Sequence, residues 1–259
     1  MIIKYDNIIP IVRVGFLFLL LILIVSCSKG KKDTSFFEPA EMLKEADELI
    51  SKEQYEKARE ILEDIRVRDT SRKFATIARL RIADTFFEDE SYEEAAVEYE
   101  SFLSVDTLHR YASYAQFKLA MCYFKRIKSV DVSYSWAKRA LDEFEKLQYN
   151  YPRNPYLDIA EERIKVCKRI LAEFELYVGR FYFKKGSFNA AVLRFNNILG
   201  TYPGSAHEPD ALYYIGMSYK NLGQQDKAEE ALKSLIEKYP AMDISGKAKE
   251  VLASILDNK

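Results

Sequence analysis

The chain has 259 residues, of which 48% are hydrophobic, so it is long and apolar enough to bury a substantial core. Its 39 basic and 40 acidic side chains nearly cancel, and no long run of one sign occurs, which excludes the electrostatic footprint of a nucleic-acid-binding protein. Nine glycines and seven prolines are few for the frequent turns of a β-sandwich. We therefore expect a helical protein that does not bind nucleic acid.

The N-terminus has the pattern of an export signal. The apolar run VGFLFLLLILIV at 14–25 follows Lys4 and Arg13. At roughly a dozen residues it is shorter than the ~20 that a transmembrane helix needs. The run ends in Ile-Val-Ser-Cys at 24–27, which resembles the lipobox of bacterial lipoproteins.

This resemblance implies that residues 1–26 are a lipoprotein signal peptide and that Cys27 carries the lipid. Three acyl chains would hold the protein at a membrane permanently. In sorting rules of the enteric type, Asp after the lipidated cysteine retains a lipoprotein in the inner membrane. Here Ser28 follows the cysteine, so we expect the protein at the periplasmic face of the outer membrane. Residues 27–37 lack periodicity and are predicted to be a flexible tether.

A repeated helical hairpin begins after the tether. Two C-terminal units share their markers at one spacing, because Gly179 and Gly216 are 37 residues apart, as are Ala191 and Ala228. These positions match the tetratricopeptide pattern, in which a small residue on the first helix lets the alanine of the second approach closely. The pattern predicts an all-α solenoid of about five hairpins with a C-terminal capping helix.

The predicted solenoid spans 38–259. Its hairpins are expected at about 39–71, 72–110, 111–153, 156–204 and 208–241, and the capping helix at 245–257. In the third hairpin the second helix begins about eight residues late, so we interpret 126–136 as an inserted loop. After Pro155 the apolar spacing continues unbroken to Gly186, which predicts one helix of about 30 residues.

One segment, residues 143–192, goes beyond a generic repeat. It contains Tyr151, Pro152, Asn154, Tyr156 and Ala160 ahead of the long predicted helix, and this order resembles the junction between the third and fourth repeats in the BamD family. The resemblance extends from about Pro39 to the C-terminus. It implies a subunit of the machinery that folds β-barrel proteins into the outer membrane.

The resemblance also implies partners. Members of this family dock on the POTRA domains of a BamA-like barrel protein and contact unfolded outer-membrane β-barrel substrates. It places a basic contact with the barrel protein at Arg194, on the second helix of the fourth hairpin. The alternative interpretation of Arg194 is a solvated surface residue.

The first helices of the second and third hairpins are predicted to line a concave groove with apolar side chains and a basic rim. The groove residues are Leu80, Phe87, Phe117, Met121, Phe124 and Lys125, with Lys118 close by. Such a groove would suit the C-terminal signal of barrel substrates, which alternates apolar residues and ends in an aromatic residue with a free carboxylate. The competing interpretation is that Phe117 and Phe124 only pack between repeats.

No catalytic or metal-binding constellation is visible in the sequence. The two histidines, His109 and His207, fall in predicted loops without neighbouring ligands, and no phosphate-binding glycine loop occurs. Cys122 and Cys167 are expected to be buried free thiols. We predict a protein without cofactor or enzymatic activity; a pilotin or an adaptor of the Tol or peptidoglycan system remains the alternative to barrel assembly.

Overall fold

The computed structural model describes residues 37–105, 107–128 and 134–257. A compact unit begins at Pro39. The described part of this unit is built from helices without strands, and their bounds are α1 Pro39–Ser51, α2 Tyr55–Arg68, α3 Lys73–Glu88, α4 Tyr92–Val105, α5 Ala112–Lys125, α6 Tyr134–Asn150, α7 Leu157–Lys184, α8 Phe188–Thr201, α9 Glu208–Asn221, α10 Gln225–Lys238 and α11 Asp243–Leu256.

Consecutive helices pair into five hairpins, α1–α2 to α9–α10, which we number hairpins 1 to 5. Each helix packs against its neighbours along the chain, and first helices of successive hairpins also touch, as α7 and α9 do. The helix α11 packs on hairpin 5 as a cap. The predicted all-α repeat fold with about five hairpins and a capping helix is confirmed.

Four hairpins share one three-residue turn. In each, the middle residue has a left-handed backbone conformation, with φ between 58° and 74°, at Glu53, Glu90, Gly186 and Gly223. The residue after it donates its N–H to a carbonyl five positions back, as Gln224 does to Tyr219 at 2.9 Å. Glycine adopts this conformation without strain, whereas the two glutamates do so at a cost.

The helical glycines allow close contact within hairpins 4 and 5. A Cβ added at Gly179 would lie 2.5 Å from a ring atom of Phe195, and one at Gly216 would lie 2.7 Å from the side chain of Leu232. At Gly216 the alanine of the second helix also approaches closely, as predicted, because an added Cβ would lie 3.4 Å from the carbonyl oxygen of Ala228. The large apolar side chain of the second helix fills the space above the glycine.

Hairpin 3 differs from the predicted insertion. Its second helix, α6, begins at Tyr134, so the last three residues of the predicted 126–136 loop are helical. The guanidinium of Arg126 lies 3.6 Å from the ring centroid of Trp136, whose ring stacks on Tyr123 at 6.3 Å. These contacts fix both ends of the connection against the repeat, while residues 129–133 lie outside the described part.

The helix α7 has 28 residues, and its length confirms the prediction of one long helix. It packs against the preceding helix α6 and the following helix α8, and it therefore joins hairpins 3 and 4 in one continuous core. Cys122 and Cys167 are buried free thiols in this core. Burial raises the pKa of each thiol to about 12.

In the part of the chain that the structure describes, no helix has the length and apolar character to cross a bilayer. The predicted signal peptide at 1–26 and the predicted acylation site at Cys27 lie outside the described residues.

Candidate docking surfaces on the repeats

The predicted groove on hairpins 2 and 3 is partly closed by packing. Leu80 is only 5% exposed and belongs to the hydrophobic core between these hairpins. Its position on α3 turns the side chain toward the helices that pack around it, so it presents no open face to a peptide. Met121 is partly buried and packs on the same core.

The two phenylalanines of α5 contact residues of α6, of α7 and of the turn before α7. The ring of Phe117 stacks on Tyr156 with centroids 4.6 Å apart and an interplanar angle of 11°. Phe124 meets Phe144 edge-on at 6.2 Å, and the guanidinium of Arg163 lies 5.1 Å from its centroid. Aromatic contacts of this kind stabilise a fixed arrangement of repeats. Both rings therefore have a packing role, and only their exposed edges are open to a ligand.

Phe87 lies at the end of α3 beneath a cation. The ammonium of Lys118 is 3.8 Å from its ring centroid and 3.1 Å from a carboxylate oxygen of Glu88. The structure thus brings Lys118 to the groove, as expected, and pairs it with both a ring and an acid. A ligand carboxylate approaching Lys118 would compete with Glu88.

Lys125 lies at a different cleft. Its neighbours there are Glu93, Glu94, Arg126 and Trp136, and none of the five predicted apolar groove residues lines this cleft. Arg126 donates to Glu93 at 3.0 Å. Of the predicted groove residues, Met121 lies one turn before Lys125 on the same face of α5, and the ring of Tyr92, which lines this cleft, meets Phe87 at 5.3 Å.

Beneath the groove lies a buried polar cluster that the sequence analysis missed. Asp84 is 8% exposed, and one of its oxygens accepts hydrogen bonds from the hydroxyls of Tyr99 at 2.6 Å and Tyr114 at 2.8 Å. Arg81 lies 3.6 Å from the other oxygen. Burial raises the pKa of Asp84 above its ordinary value, although these partners act in the opposite direction. The cluster joins α3, α4 and α5 and so links hairpins 2 and 3.

Arg194 lies on α8 in hairpin 4, as predicted. Its Nη1 is 3.4 Å from Oε2 of Glu175 on α7, and Asn197 donates to the same oxygen at 3.4 Å. The Arg194 side chain is 40% exposed, whereas that of Glu175 is 6% exposed. Arg194 is therefore neither a freely solvated residue nor a buried one, because Glu175 contacts its guanidinium while the side chain stays partly exposed.

Both histidines lie outside any cluster of potential metal ligands in the described part of the chain. Among the described residues, no cluster of three histidine, cysteine, aspartate or glutamate side chains has the geometry to hold a metal ion. His109 packs edge-on against Phe102 at 5.3 Å, and His207 precedes the first turn of α9. The predicted loop positions of both residues agree with the structure.

Paired helices, a recurrent turn and glycine-mediated contacts define a tetratricopeptide-type repeat protein. The chain belongs to the family described as YfiO, outer membrane lipoprotein, whose sequence model matches residues 37–235. This match, together with the relatives below, confirms the resemblance that the segment at 143–192 indicated.

Two curated relatives are both named outer membrane protein assembly factor BamD. The protein from Rickettsia prowazekii (strain Madrid E) is 31% identical over 118 residues, which cover 46% of this chain and 47% of the relative. The protein from Vibrio cholerae serotype O1 (strain ATCC 39315 / El Tor Inaba N16961) is 33% identical over 103 residues, covering 40% and 42%. The chain thus spans less than half the length of each of these relatives.

Similar solved structures are tetratricopeptide proteins. The yeast Sti1 TPR2AB domain in complex with a pHSP90 has 15% sequence identity and a TM-score of 0.44, covering 85% of this chain and 87% of that one. YrrB, a TPR protein with an unusual peptide-binding site, has 20% identity and a TM-score of 0.38, covering 82% and 92%. The fold class rests on the repeats of this chain itself.

Proposed function

We propose that this protein is a non-catalytic scaffold in the assembly of β-barrel proteins at the outer membrane. The observation that carries the proposal is the family match over 37–235, which includes the whole of hairpins 1 to 4. The names of the curated relatives support assembly over a pilotin or a Tol or peptidoglycan adaptor. A repeat scaffold presents extended surfaces to partners and needs no convergent catalytic site.

The barrel-protein partner docks at Arg194 through the POTRA domains of a BamA-like protein. The geometry around Arg194 supports this assignment, because Glu175 holds one nitrogen of its guanidinium while the side chain stays partly exposed, and Asn197 in turn donates a hydrogen bond to Glu175. A guanidinium whose position is already fixed loses less conformational entropy on binding a carboxylate. The site would thus recognise an acidic residue on the POTRA surface.

Unfolded barrel substrates contact hairpins 2 and 3. Support comes from the partly exposed rings of Phe87, Phe117 and Phe124 and from Lys118 beside them. Leu80 does not belong to this surface because it is buried, and Lys125 lines the neighbouring cleft, which Tyr92 joins to Phe87. With so little open apolar surface we expect a dissociation constant on the order of 10 μM to 100 μM, which suits transient capture.

The protein is anchored through lipid on Cys27 and faces the periplasm. The family description supports an outer-membrane lipoprotein, and the sequence supports the particular cysteine. Acyl chains contribute about 0.8 kcal/mol per buried methylene, so several chains hold the protein firmly. The scaffold would then act beside the barrel proteins that it helps to insert.

Depletion of the protein tests the proposed function. As the protein is lost, we expect newly made outer-membrane barrel proteins to remain unfolded, which is measured by the heat-dependent shift of their electrophoretic mobility. Lipoprotein localisation and peptidoglycan attachment should change only later. An early defect in either of these, with normal barrel folding, would contradict the proposal and favour the adaptor or pilotin alternative.

A further inference from the structure

The second half of α7 carries two exposed aromatic side chains that the proposed function does not use. Tyr177 is 62% exposed and Phe181 is 52% exposed. They are four residues apart on one helix and therefore lie on the same face, one turn from each other. Tyrosine and other large aromatic side chains are enriched among the residues that contribute most to binding energy.

These rings stand at the edge of a cavity of about 490 Å³ between α7 and the start of α9. Leu176, which is 8% exposed, contributes to its apolar lining, and His207 closes it from the α9 side. A concave cavity with an apolar lining accepts an inserted side chain, whereas a flat bilayer surface would leave it unfilled. The shape favours a peptide segment over a membrane.

Basic groups dominate the C-terminal end of this surface. Arg180 and Lys184 line the cavity, and the ammonium of Lys185 lies 5.9 Å from the Phe181 centroid. The described residues form no ion pair with these three cations within 4.0 Å. Glu173, the one acidic residue of the lining, lies at the opposite end.

Spacing relates this surface to an extended peptide. Side chains on successive turns of α7, such as the Phe181 ring and the Lys184 ammonium, are about 5 to 6 Å apart along the helix axis. In an extended segment, side chains on one face repeat every second residue, about 6.6 to 6.8 Å apart. An apolar side chain between Tyr177 and Phe181 would therefore put the side chain two residues later near Lys184. A carboxylate at that position would meet an unpaired ammonium.

The geometry points to a third docking surface, formed by Tyr177, Phe181, Arg180 and Lys184, that binds an extended peptide segment with an apolar side chain followed two residues later by a carboxylate. The surface is separate from Arg194 and from the groove of hairpins 2 and 3. It therefore goes beyond the proposed function and does not depend on it.

The test is a titration followed by fluorescence anisotropy. The protein is the segment 37–257, which contains the compact unit beginning at Pro39 and lacks the acylation site. The probe is a short fluorescein-labelled peptide with phenylalanine followed two residues later by aspartate; matched peptides carry lysine for aspartate or serine for phenylalanine. Vesicles of phosphatidylglycerol serve as a membrane probe.

We expect the phenylalanine–aspartate peptide to bind at least about tenfold more tightly than either matched peptide, and Phe181→Ser to weaken binding about tenfold. Lys184→Glu should reverse the preference between aspartate and lysine. Tyr149→Ser, which removes an 87% exposed ring from α6, should leave binding unchanged.

The inference is overturned if the peptide does not bind, if Phe181→Ser binds as well as the unaltered segment, or if Lys184→Glu leaves the preference unchanged. Binding to the vesicles that is lost in Phe181→Ser, without binding to the peptide, would assign the surface to the membrane instead. Because barrel assembly is not measured here, a negative result leaves the proposed function intact.

Discussion

The guanidinium of Arg194 on α8 lies 3.4 Å from the nearly buried carboxylate of Glu175 on α7. This pair makes Arg194 part of the packing of hairpin 4 as well as part of the proposed docking surface. A variant of Arg194 alone therefore changes two properties at once, and the two must be separated before any loss of partner binding is interpreted.

We expect Arg194→Gln to lower the free energy of unfolding of the segment 37–257 by about 1–3 kcal/mol, because Glu175 would keep its buried charge with weaker compensation. Adding Glu175→Gln should restore most of this loss, since it removes the charge and keeps a polar side chain of the same shape. Urea unfolding, monitored by circular dichroism, measures the loss in the single variant and its recovery in the double variant. Equal midpoints for Arg194→Gln and the unaltered segment would show that the pair does not stabilise the hairpin.

The close contact at Gly216 predicts that alanine destabilises hairpin 5. A Cβ there would lie 2.7 Å from Leu232, so Gly216→Ala should cost about 1–3 kcal/mol through overpacking. This outweighs the gain of up to about 1 kcal/mol that alanine brings to a helix. Gly246→Ala is the matched control, because Gly246 lies in α11 with no atom within 4 Å of an added Cβ, and it should stabilise.

Thermal unfolding of the two glycine variants is the measurement. A higher midpoint for Gly216→Ala than for Gly246→Ala would contradict the packing described above. If Leu232 is the obstacle, Leu232→Val should lessen the effect of Gly216→Ala, since the shorter side chain leaves room for the new methyl group.

The repeated glycines made the fold predictable from the sequence, but they did not predict the contacts between hairpins. The 37-residue spacing of Gly179 and Gly216 identified the hairpins, because close helix packing requires a small residue at the same place in each repeat. That spacing does not reveal how each hairpin is rotated against the next. The stacking of Phe117 on Tyr156 and the burial of Leu80 both depend on this rotation.

Polar contacts between distant residues were also beyond the sequence. Asp84 and Tyr114 are on different hairpins, and Glu175 and Arg194 are on different helices, so no local pattern connects either pair. One signal was available: Tyr177 and Phe181 stand four apart among basic residues on the predicted long helix. A helical projection of that segment would have indicated an exposed aromatic face.

The buried Asp84 cluster predicts a destabilisation that depends on pH. Tyr99→Phe removes the 2.6 Å hydrogen bond to Asp84 and should cost about 1–3 kcal/mol at pH 7. Burial already raises the native pKa of Asp84, so ionised Asp84 costs stability above that pKa, and this cost disappears as the pH falls and the group is protonated. Removing a donor raises the native pKa further.

The loss caused by Tyr99→Phe should therefore be larger at pH 7 than at pH 4. Urea unfolding at the two pH values measures it, with Tyr149→Phe as a control because the Tyr149 side chain is largely exposed. A loss that is equal at both pH values, or larger at pH 4, would contradict the assigned direction of the pKa shift.

Loss of the proposed acylation site should prevent the lipid anchoring of the protein in the outer membrane. In a Cys27→Ser variant we expect no incorporation of a labelled fatty acid and no signal-peptide cleavage before residue 27, because lipid attachment requires the thiol. Metabolic labelling and N-terminal analysis of the purified protein measure the two events. Label retained in this variant, or a mature chain that begins elsewhere, would overturn the assignment of Cys27.

Co-purification with a barrel protein that bears POTRA domains tests the proposed docking most directly. The tagged full chain is isolated from detergent-solubilised outer membranes at elevated salt. The test variant is Arg194→Glu combined with Glu175→Gln, so that the reversed charge does not face a buried carboxylate. The control is Arg153→Glu, which reverses an exposed charge elsewhere on the protein. We predict that the unaltered chain and Arg153→Glu retain the barrel protein and that the double variant loses it. Absence of such a protein from the unaltered sample, or full retention by the double variant, would contradict docking through Arg194.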